Sequence, residues 1–160
     1  MPDEVCAVAA DTKVETPEGP LPIRSLATTP TAVLTRTDAG LVRFAMIRGA
    51  HKVEGMRAVL RITLDNGLSF RVAPSQVLLK RGMIETNAGE VRAGDELESA
   101  FCFPEGYVYC ADDQREVTAR ASVGVRHVEP AGEAEVYGFC VNLTGRFAFS
   151  CGVLAKAEQA

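Results

Sequence analysis

Residues 7–26 read AVAADTKVETPEGPLPIRSL, and this stretch decides the fold of the chain. Apolar and polar residues alternate at residues 13–16, which predicts a half-buried β-strand. Gly19 follows a Pro-Glu pair, a combination typical of a turn. Residues 23–26 favour a short helical turn after Pro22. The opening therefore predicts a strand, a glycine turn and a brief helix in close succession.

Composition excludes several classes of protein. The chain has 160 residues, of which 47% are apolar and 24% charged, so it is neither disordered nor fibrous. Its formal charge of −4 and its scattered basic residues argue against nucleic-acid or membrane partners. The chain starts MPDEVC, without a signal peptide. We expect one domain, cytoplasmic or virion-associated and not secreted by a signal peptide.

Cysteine and histidine usage argues against a metal or cofactor. The five cysteines are Cys6, Cys102, Cys110, Cys140 and Cys151. They form no Cys-x-x-Cys pair, and with only two histidines a zinc site is not expected. We expect reduced, mostly buried thiols. Cys102 and Cys110 flank a predicted turn, and spacing alone leaves open whether they pair.

Strand patterns dominate the remainder of the chain. They predict strands at residues 32–37, 41–47, 59–64, 68–72, 77–79, 107–109, 116–121, 124–127, 135–143 and 147–154. Asp65-Asn66-Gly67 predicts a hairpin, and Asp38-Ala39-Gly40 predicts another turn. Besides residues 23–26, only 90–93 favour a helical turn. We expect an all-β chain with at least about two-fifths strand and little helix.

Segments along nearly the whole chain resemble the sequence blocks of the Hint superfamily. This superfamily comprises the self-processing domains of inteins, bacterial intein-like domains and hedgehog proteins. Residues 7–26 resemble its opening, and residues 58–80 its second block with an Asp-Asn-Gly hairpin. Residues 90–97 resemble a Leu-x-x-Gly-Asp signature. Residues 136–141 (VYGFCV) and 147–157 (FAFSCGVLAKA) resemble the two closing strands.

The resemblance implies a horseshoe-shaped β fold whose two ends meet at an active cleft. In that arrangement Ala7 lies close to Ala157. Residues 98–120 occupy the place where large inteins carry a homing endonuclease, and this segment is too short to hold one. The expected organisation is a flank at 1–6, a Hint domain at 7–157 without an endonuclease insert, and a flank at 158–160.

The family's chemistry requires groups that this sequence lacks. A Cys or Ser at the first position starts an acyl shift. A Thr-x-x-His in the second block strains and protonates the scissile amide. A fourth-block Asp assists, and a closing His-Asn cyclises to release the downstream flank. The matching positions are Ala7, Ala73, Gln76, Gly138, Lys156 and Ala157. The resemblance thus implies a scaffold without catalytic residues, which natural decay explains more simply than deliberate substitution.

Other residues offer alternatives. Cys6 precedes the expected nucleophile by one residue, so a bulge would be needed to bring it into place, since a one-residue slip reverses the face. Cys140 falls two residues late for an internal nucleophile and reads better as a core thiol, as does Cys151. His51 is expected in a solvated loop. His127 is expected on the surface of a strand.

Two function classes follow from this reading. The first is a catalytically inactive Hint domain retained as a structural or interaction module, for example within a larger assembly such as a phage particle. The second is an atypical self-cleaving or splicing domain that uses Cys6 or Cys140. For the first class we expect a protein partner or self-association, through residues 100–111 or through an exposed strand edge. Residues 100–111 carry four aromatics and two cysteines, which either dock on a neighbour or fold back onto the core.

Overall fold

The structure is a computed structural model that describes residues 4–29, 31–100, 106, 108–110, 114, 116–118 and 122–158. Strands make up 63% of it and helices 6%. The all-β prediction is confirmed. Among the described residues no helix is both long and apolar enough to cross a bilayer.

The first elements follow the pattern of residues 7–26. They are β1 (Val8–Ala9), β2 (Lys13–Thr16), β3 (Gly19–Pro22), α1 (Ile23–Thr28) and β4 (Ala32–Arg36). Strands β2 and β3 form a hairpin, and Gly19 has a positive φ of 99°, a backbone conformation that favours glycine. Helix α1 is a single short element that buries Ile23 and Leu26. The predicted strand, turn and helix are therefore all present.

Long and short strands follow. They are β5 (Val42–Leu64), β6 (Ser69–Val72), β7 (Val77–Lys80), β8 (Ile84–Asn87), β9 (Glu96–Glu98), β10 (Val108–Cys110), β11 (Glu116–Thr118), β12 (Ser122–Val141), β13 (Arg146–Ala148) and β14 (Leu154–Lys156). The predicted Asp-Asn-Gly hairpin connects β5 to β6. A 3-10 turn at Ala88–Glu90 replaces the helical turn predicted at 90–93.

One large sheet carries most of the strands. Its order is β13-β14-β7-β9-β12-β1-β6-β5-β4, with β8 on β7 and an additional pairing between β12 and β5. All its named strand pairs are antiparallel. Strands β2 and β3, and β10 and β11, form two separate small sheets. In the main core Phe70 stacks on Phe149, and Phe147 packs edge-to-face against Phe139 and Phe149, with ring centroids 4.6–5.2 Å apart.

In two places, two strands that were predicted separately form one continuous long strand. Residues 41–47 and 59–64 were predicted separately, yet β5 runs unbroken between them; β12 likewise joins the strands predicted at 124–127 and 135–143. The middle of each strand is mostly exposed, so apolar alternation fades there. The strands nevertheless persist because they hydrogen-bond to each other, with register shifts along the ribbon.

The closing segment also differs from its prediction. The single strand expected at residues 147–154 is two strands, β13 and β14, that pair antiparallel around a turn. Gly152 in that turn has a φ of 99°, and its N–H donates to the carbonyl of Phe149 at 2.9 Å. This turn returns the carboxyl end of the chain to β7, where Ala155 lies opposite Leu78. The carboxyl end thereby reaches the amino end.

Candidate functional site

Ala7 precedes β1, the central strand that lies between β6 and β12. Its N–H and C=O are both hydrogen-bonded: the carbonyl accepts the N–H of Ala73 at 2.9 Å. The methyl group is buried in a small cluster with Ala9, Val59 and Val136. A methyl has neither thiol nor hydroxyl, so the first position of the site holds no nucleophile.

Gln76 occupies the position where the family resemblance places histidine. The turn that follows β6 brings it there, and the side chain is completely buried. Its Oε1 accepts the N–H of Ala7 at 2.8 Å, while Nε2 donates to the carbonyls of Val77 at 2.9 Å and Lys156 at 3.0 Å. These partners fix the orientation of the Gln76 amide. In the flipped orientation the NH₂ group would face the N–H of Ala7, and Oε1 would face two carbonyl oxygens.

Gln76 therefore connects the two ends of the domain. The Cys6–Ala7 peptide and the Lys156–Ala157 peptide are both bonded to one side chain, which places Ala7 close to Ala157 as predicted. Ala73, the position of the family's Thr, is buried against the same small cluster. Unlike an imidazole, a carboxamide carries no proton that it can give up near neutral pH. Gln76 holds the first peptide bond in place, and its side chain offers no acidic proton to that bond.

Gly138 stands where the family has Asp, and the space for a side chain is filled. A Cβ atom added to Gly138 would lie 2.6 Å from the carbonyl oxygen of Cys6 and 2.7 Å from Oε1 of Glu158. The backbone of the amino end and the side chain of Glu158 thus both cross this position. A carboxylate cannot enter the cleft from residue 138 unless these neighbours move.

Cys6 is fully buried and packs on a different side of the chain from Ala7. It belongs to the main core with Phe139, whereas Ala7 belongs to the smaller cluster, as expected for consecutive residues of an extended chain. Its thiol also lies near Glu158 and Cys140. Burial raises the pKa of the Cys6 thiol to about 12 from its ordinary value of 9.0. A thiol attacks as the thiolate, so this environment makes Cys6 a poor nucleophile.

Cys140 and the terminal residues complete the site. Cys140 lies on β12 and is half-buried. Its backbone forms an isolated parallel β-bridge with the backbone of Glu158. Nζ of Lys156 contacts both carboxylate oxygens of Glu85, at 3.0 and 3.2 Å. Ala157 is fully buried, and its N–H donates to the carbonyl of Gly145 at 2.7 Å. Neither Lys156 nor Ala157 provides the imidazole or the carboxamide of the family pattern.

One histidine borders the site and the other lies away from it. His51 was predicted in a loop, which is wrong: it lies on β5, exposed, with Nδ1 2.7 Å from the carbonyl of Gly49. It lies opposite Gly138, and its Nε2 is 3.7 Å from Oε1 of Glu158, so an exposed imidazole borders the cleft. His127 lies exposed on β12 beside Glu129, as predicted. The contribution of Glu158 to the cleft had no signal in the sequence.

The remaining predicted features are only partly described. Within the described part of the chain, no cluster of His, Cys, Asp or Glu has the makings of a metal site. Most of residues 100–111, including Cys102, Phe103 and Tyr107, lies outside the described residues. Cys110 is exposed and free on β10, in the small hairpin with β11. Cys151 is buried in the main core.

Comparison with solved structures identifies the fold. The Ssp DnaB mini-intein variant M86 superposes with a TM-score of 0.76 at 11% identity, over 100% of both chains. The DnaX mini intein from Spirulina platensis gives 0.70 at 14% identity, over 95% of this chain and 99% of that one. The bacterial intein-like domain from Clostridium thermocellum gives 0.70 at 16% identity, over 94% and 98%. No family model and no curated protein matches the sequence. The fold is the Hint, intein-like fold.

Proposed function

From the Hint fold as premise, we propose that this chain is a catalytically inactive Hint domain that acts as a structural or interaction module. The observation that carries the proposal is the side chain of Gln76. It bonds the first peptide of the domain on one side and the last strand on the other. A self-processing domain needs these peptides to react, whereas here they are held by a neutral, fully buried amide.

The first step of self-processing lacks its nucleophilic side chain. Acyl transfer needs a thiolate or alkoxide close to the carbonyl carbon upstream of residue 7. Ala7 has no such group, and the Cys6 thiol faces the core with its pKa raised by burial. Cys140 lies near the peptide that Gln76 holds, beside Glu158, but it is not the residue whose own amide would undergo the acyl shift. These positions support an inert cleft.

The last step lacks its reagent as well. Release of a downstream flank by cyclisation needs a side-chain amide within reach of its own carbonyl, and Ala157 has none. The buried methyl of Ala157 instead packs in the main core. With both steps lost, the retained property of this domain is its rigid, joined pair of chain ends. That property suits a component of a larger assembly, such as a phage particle.

The test is the integrity of the chain when it is flanked on both sides. The protein is expressed with a small soluble domain fused to each end and incubated for days at neutral and alkaline pH. Thiol or hydroxylamine is added to parallel samples, and intact mass is measured. We expect the full-length mass throughout, with no fragment that ends at Val5 or Cys6 and none that begins at Cys6 or Ala7.

Matched variants separate the alternatives. A fragment that forms with time and vanishes in Cys6→Ala or Cys140→Ala would establish self-cleavage through that thiol and overturn the proposal. Cys151→Ala removes a buried thiol elsewhere in the core and is the control for loss of a cysteine as such. Cleavage that persists in all three variants would point to a contaminating protease, which an inhibitor mixture then removes.

A further inference from the structure

Strand β5 extends beyond the strand that pairs with it in the long ribbon. Strand β12 ends at Val141, opposite Ile47. The chain then turns away, and its last contact with β5 is the N–H of Asn142, which donates to the carbonyl of Met46 at 3.0 Å. Towards its amino end β5 continues to Val42, paired there with β4 alone. In the described part of the chain, the other edge of β5 has no neighbouring strand before Met46.

The open edge exposes main-chain hydrogen-bonding groups. At the tip of the β4–β5 hairpin, the N–H of Thr37 donates to the carbonyl of Leu41 at 2.8 Å. Antiparallel pairing alternates from there, so Arg43 and Ala45 bond to β4 while Val42 and Phe44 direct their N–H and C=O outward. The bond from Asn142 to Met46 fits the same alternation. Nothing in the described chain bonds the main-chain groups of Val42 and Phe44.

Apolar side chains surround these open groups. We call this surface the hairpin edge. Its residues, with their exposed fractions, are Leu41 (66%), Val42 (41%), Phe44 (42%), Met46 (52%) and Leu143 (80%). By contrast, the outer edge of β4 is occupied, because Nη1 of Arg146 donates to the carbonyl of Arg36 at 2.7 Å. An exposed apolar strand edge invites a further strand.

The charges at this surface define the partner. Arg43 and Arg48 are both exposed, and neither makes an ion pair with any described residue. Arg48 shares its face of β5 with Phe44 and Met46, since residues of equal parity lie on one face. Arg43 lies on the opposite face, within the open stretch. A strand added here would meet an unpaired guanidinium on either side.

We propose that the hairpin edge binds an extended segment of another protein in which apolar residues alternate with Asp or Glu. This inference rests on the proposed function as an interaction module and names its surface and partner class. The partner's apolar side chains pack on Val42 and Phe44, and its carboxylates on the other face meet Arg43. Main-chain bonds to Val42 and Phe44 supply the pairing, and Arg43 selects for acidic segments.

A second copy of the chain fits this edge poorly. Two copies could pair their β5 edges antiparallel about a two-fold axis. For both Val42 and Phe44 to form main-chain bonds, Val42 of one copy must lie opposite Phe44 of the other. Arg43 then lies directly opposite Arg43 of the other copy, and like charges opposite one another destabilise a sheet. A register shifted towards Met46 is blocked, because the carbonyl of Met46 already accepts the N–H of Asn142. Charge therefore favours a different, acidic partner.

Synthetic peptides test the proposal directly. The probe is a short fluorescent peptide that alternates valine and glutamate between soluble glycine-serine ends. Two control peptides, its twins, have the same length. One carries lysine in place of glutamate, and the other carries N-methyl groups on the amides of the strand. We expect the full chain to bind the glutamate peptide and to protect the amides of Val42 and Phe44 from hydrogen exchange. Weakening of about tenfold or more is expected for each twin.

Variants of exposed side chains locate the site. Phe44→Asp should abolish binding, while Arg43→Glu should reverse the preference towards the lysine peptide. Met56→Asp is the matched control, because Met56 is an exposed apolar residue of the same strand outside the hairpin edge. Thermal melting of each variant confirms that the chain is folded. Equal affinity for all peptides, or loss with Met56→Asp alone, overturns the assignment.

Two further outcomes also overturn it, without touching the proposed function. If the glutamate peptide does not bind and the flanked chain stays uncleaved, the hairpin edge is rejected as a binding surface, while the proposal of an inactive module stands. Concentration-dependent dimerisation abolished by Phe44→Asp rejects the acidic partner in favour of self-association. Cleavage of the flanked chain, by contrast, rejects inactivity whatever the peptides do.

Discussion

At the scale of single residues, the side chains and the backbone in the cleft are bonded to one another or closely packed. Gln76 satisfies two carbonyls and one N–H, and Gly138 leaves room for the backbone of Cys6 and the carboxylate of Glu158. Together these residues form a joint between the two ends of the domain. Such a buried polar joint contributes stability only while all its members are bonded.

Loss of the Gln76 amide should therefore destabilise the protein. Gln76→Ala leaves the Ala7 N–H and the Lys156 carbonyl without a partner and opens a cavity, so we expect a loss of about 3 kcal/mol in the free energy of unfolding. Gln76→Glu should cost at least as much, because a carboxylate cannot donate to the two carbonyls. Urea unfolding measures both. The exposed substitution Glu133→Ala is the control, and a Gln76→Ala variant as stable as that control would contradict the role of the joint.

The buried Cys6 thiol should make stability depend on pH. Its pKa is about 12 in the folded chain against 9.0 ordinarily, so above pH 9 the unfolded chain loses this proton while the folded chain keeps it. Unfolding then releases a proton, and stability falls as pH rises through that window, by on the order of 1 kcal/mol per pH unit. Below pH 9 the thiol is protonated in both states and has no pH effect.

The measurement compares wild type with Cys6→Ala by urea unfolding across alkaline pH. The difference between the two proteins reports the contribution of the Cys6 thiol. The wild type's stability relative to Cys6→Ala should decline steadily above pH 9. Parallel curves would show that the Cys6 thiol ionises alike in the folded and unfolded chains.

At the scale of elements, the middle of the β5–β12 ribbon and the parts of its strands near either end are held in different ways. Residues near both ends of each long strand pack in the core, whereas the ribbon between residues 48 and 58 is mostly exposed on both faces. Ion pairs such as Lys52 to Glu135 lie along it at 2.9 Å, and exposed pairs of this kind contribute little stability. The ribbon therefore depends on its interstrand hydrogen bonds, supported by a few buried residues such as Val53.

Hydrogen exchange should reveal this difference. Amides at residues 51–57 should exchange on the order of a hundredfold faster than those at residues 60–64 of the same strand, because local opening there exposes little apolar surface. Both segments belong to β5, so each serves as the other's reference. Uniform protection along β5 would mean that the ribbon opens only with the whole domain.

At the scale of the whole molecule, the Hint fold is present without the residues that the sequence resemblance assigns to its chemistry. That chemistry requires a nucleophile, a proton donor and a terminal amide at once. Ala7, Gln76 and Ala157 do not supply these groups, so we do not expect the restoration of one group to restore a reaction.

Ala7→Cys alone should give no thiol-induced cleavage of the flanked chain. The acyl shift is uphill without strain and protonation of the scissile amide, and neither Ala73 nor Gln76 supplies them. The smallest set from which we expect any cleavage combines Ala7→Cys, Ala73→Thr, Gln76→His, Lys156→His and Ala157→Asn. Intact mass after thiol treatment is the measurement, with the unsubstituted flanked chain as control. Efficient cleavage by Ala7→Cys alone would show that the second block is not needed.

Much of this structure was predictable from local patterns. Alternation at β2, the Asp-Asn-Gly turn after β5 and the helical turn after Pro22 are local features, set by a few neighbouring residues. The positions that depart from the family pattern were also visible in the sequence, because the side chain of an alanine or a glycine cannot act as an acid, a base or a nucleophile in any fold. Continuous β5 and β12 were not predictable, since their exposed middle sections depend on each other and not on burial.

The sequence by itself determined the all-β class, the turns that organise it and the absence of reactive groups at Ala7 and Ala157. The tertiary structure alone decided what those positions now do. Whether Gln76 is a surface amide or a buried joint depends on the strands that bring residues 7 and 156 to it, and these residues are remote in sequence. The exposure of Phe44 was decided in the same way, by where β12 ends. Hydrogen-bond partners and open edges arise from long-range pairing, and long-range pairing is what a local pattern does not encode.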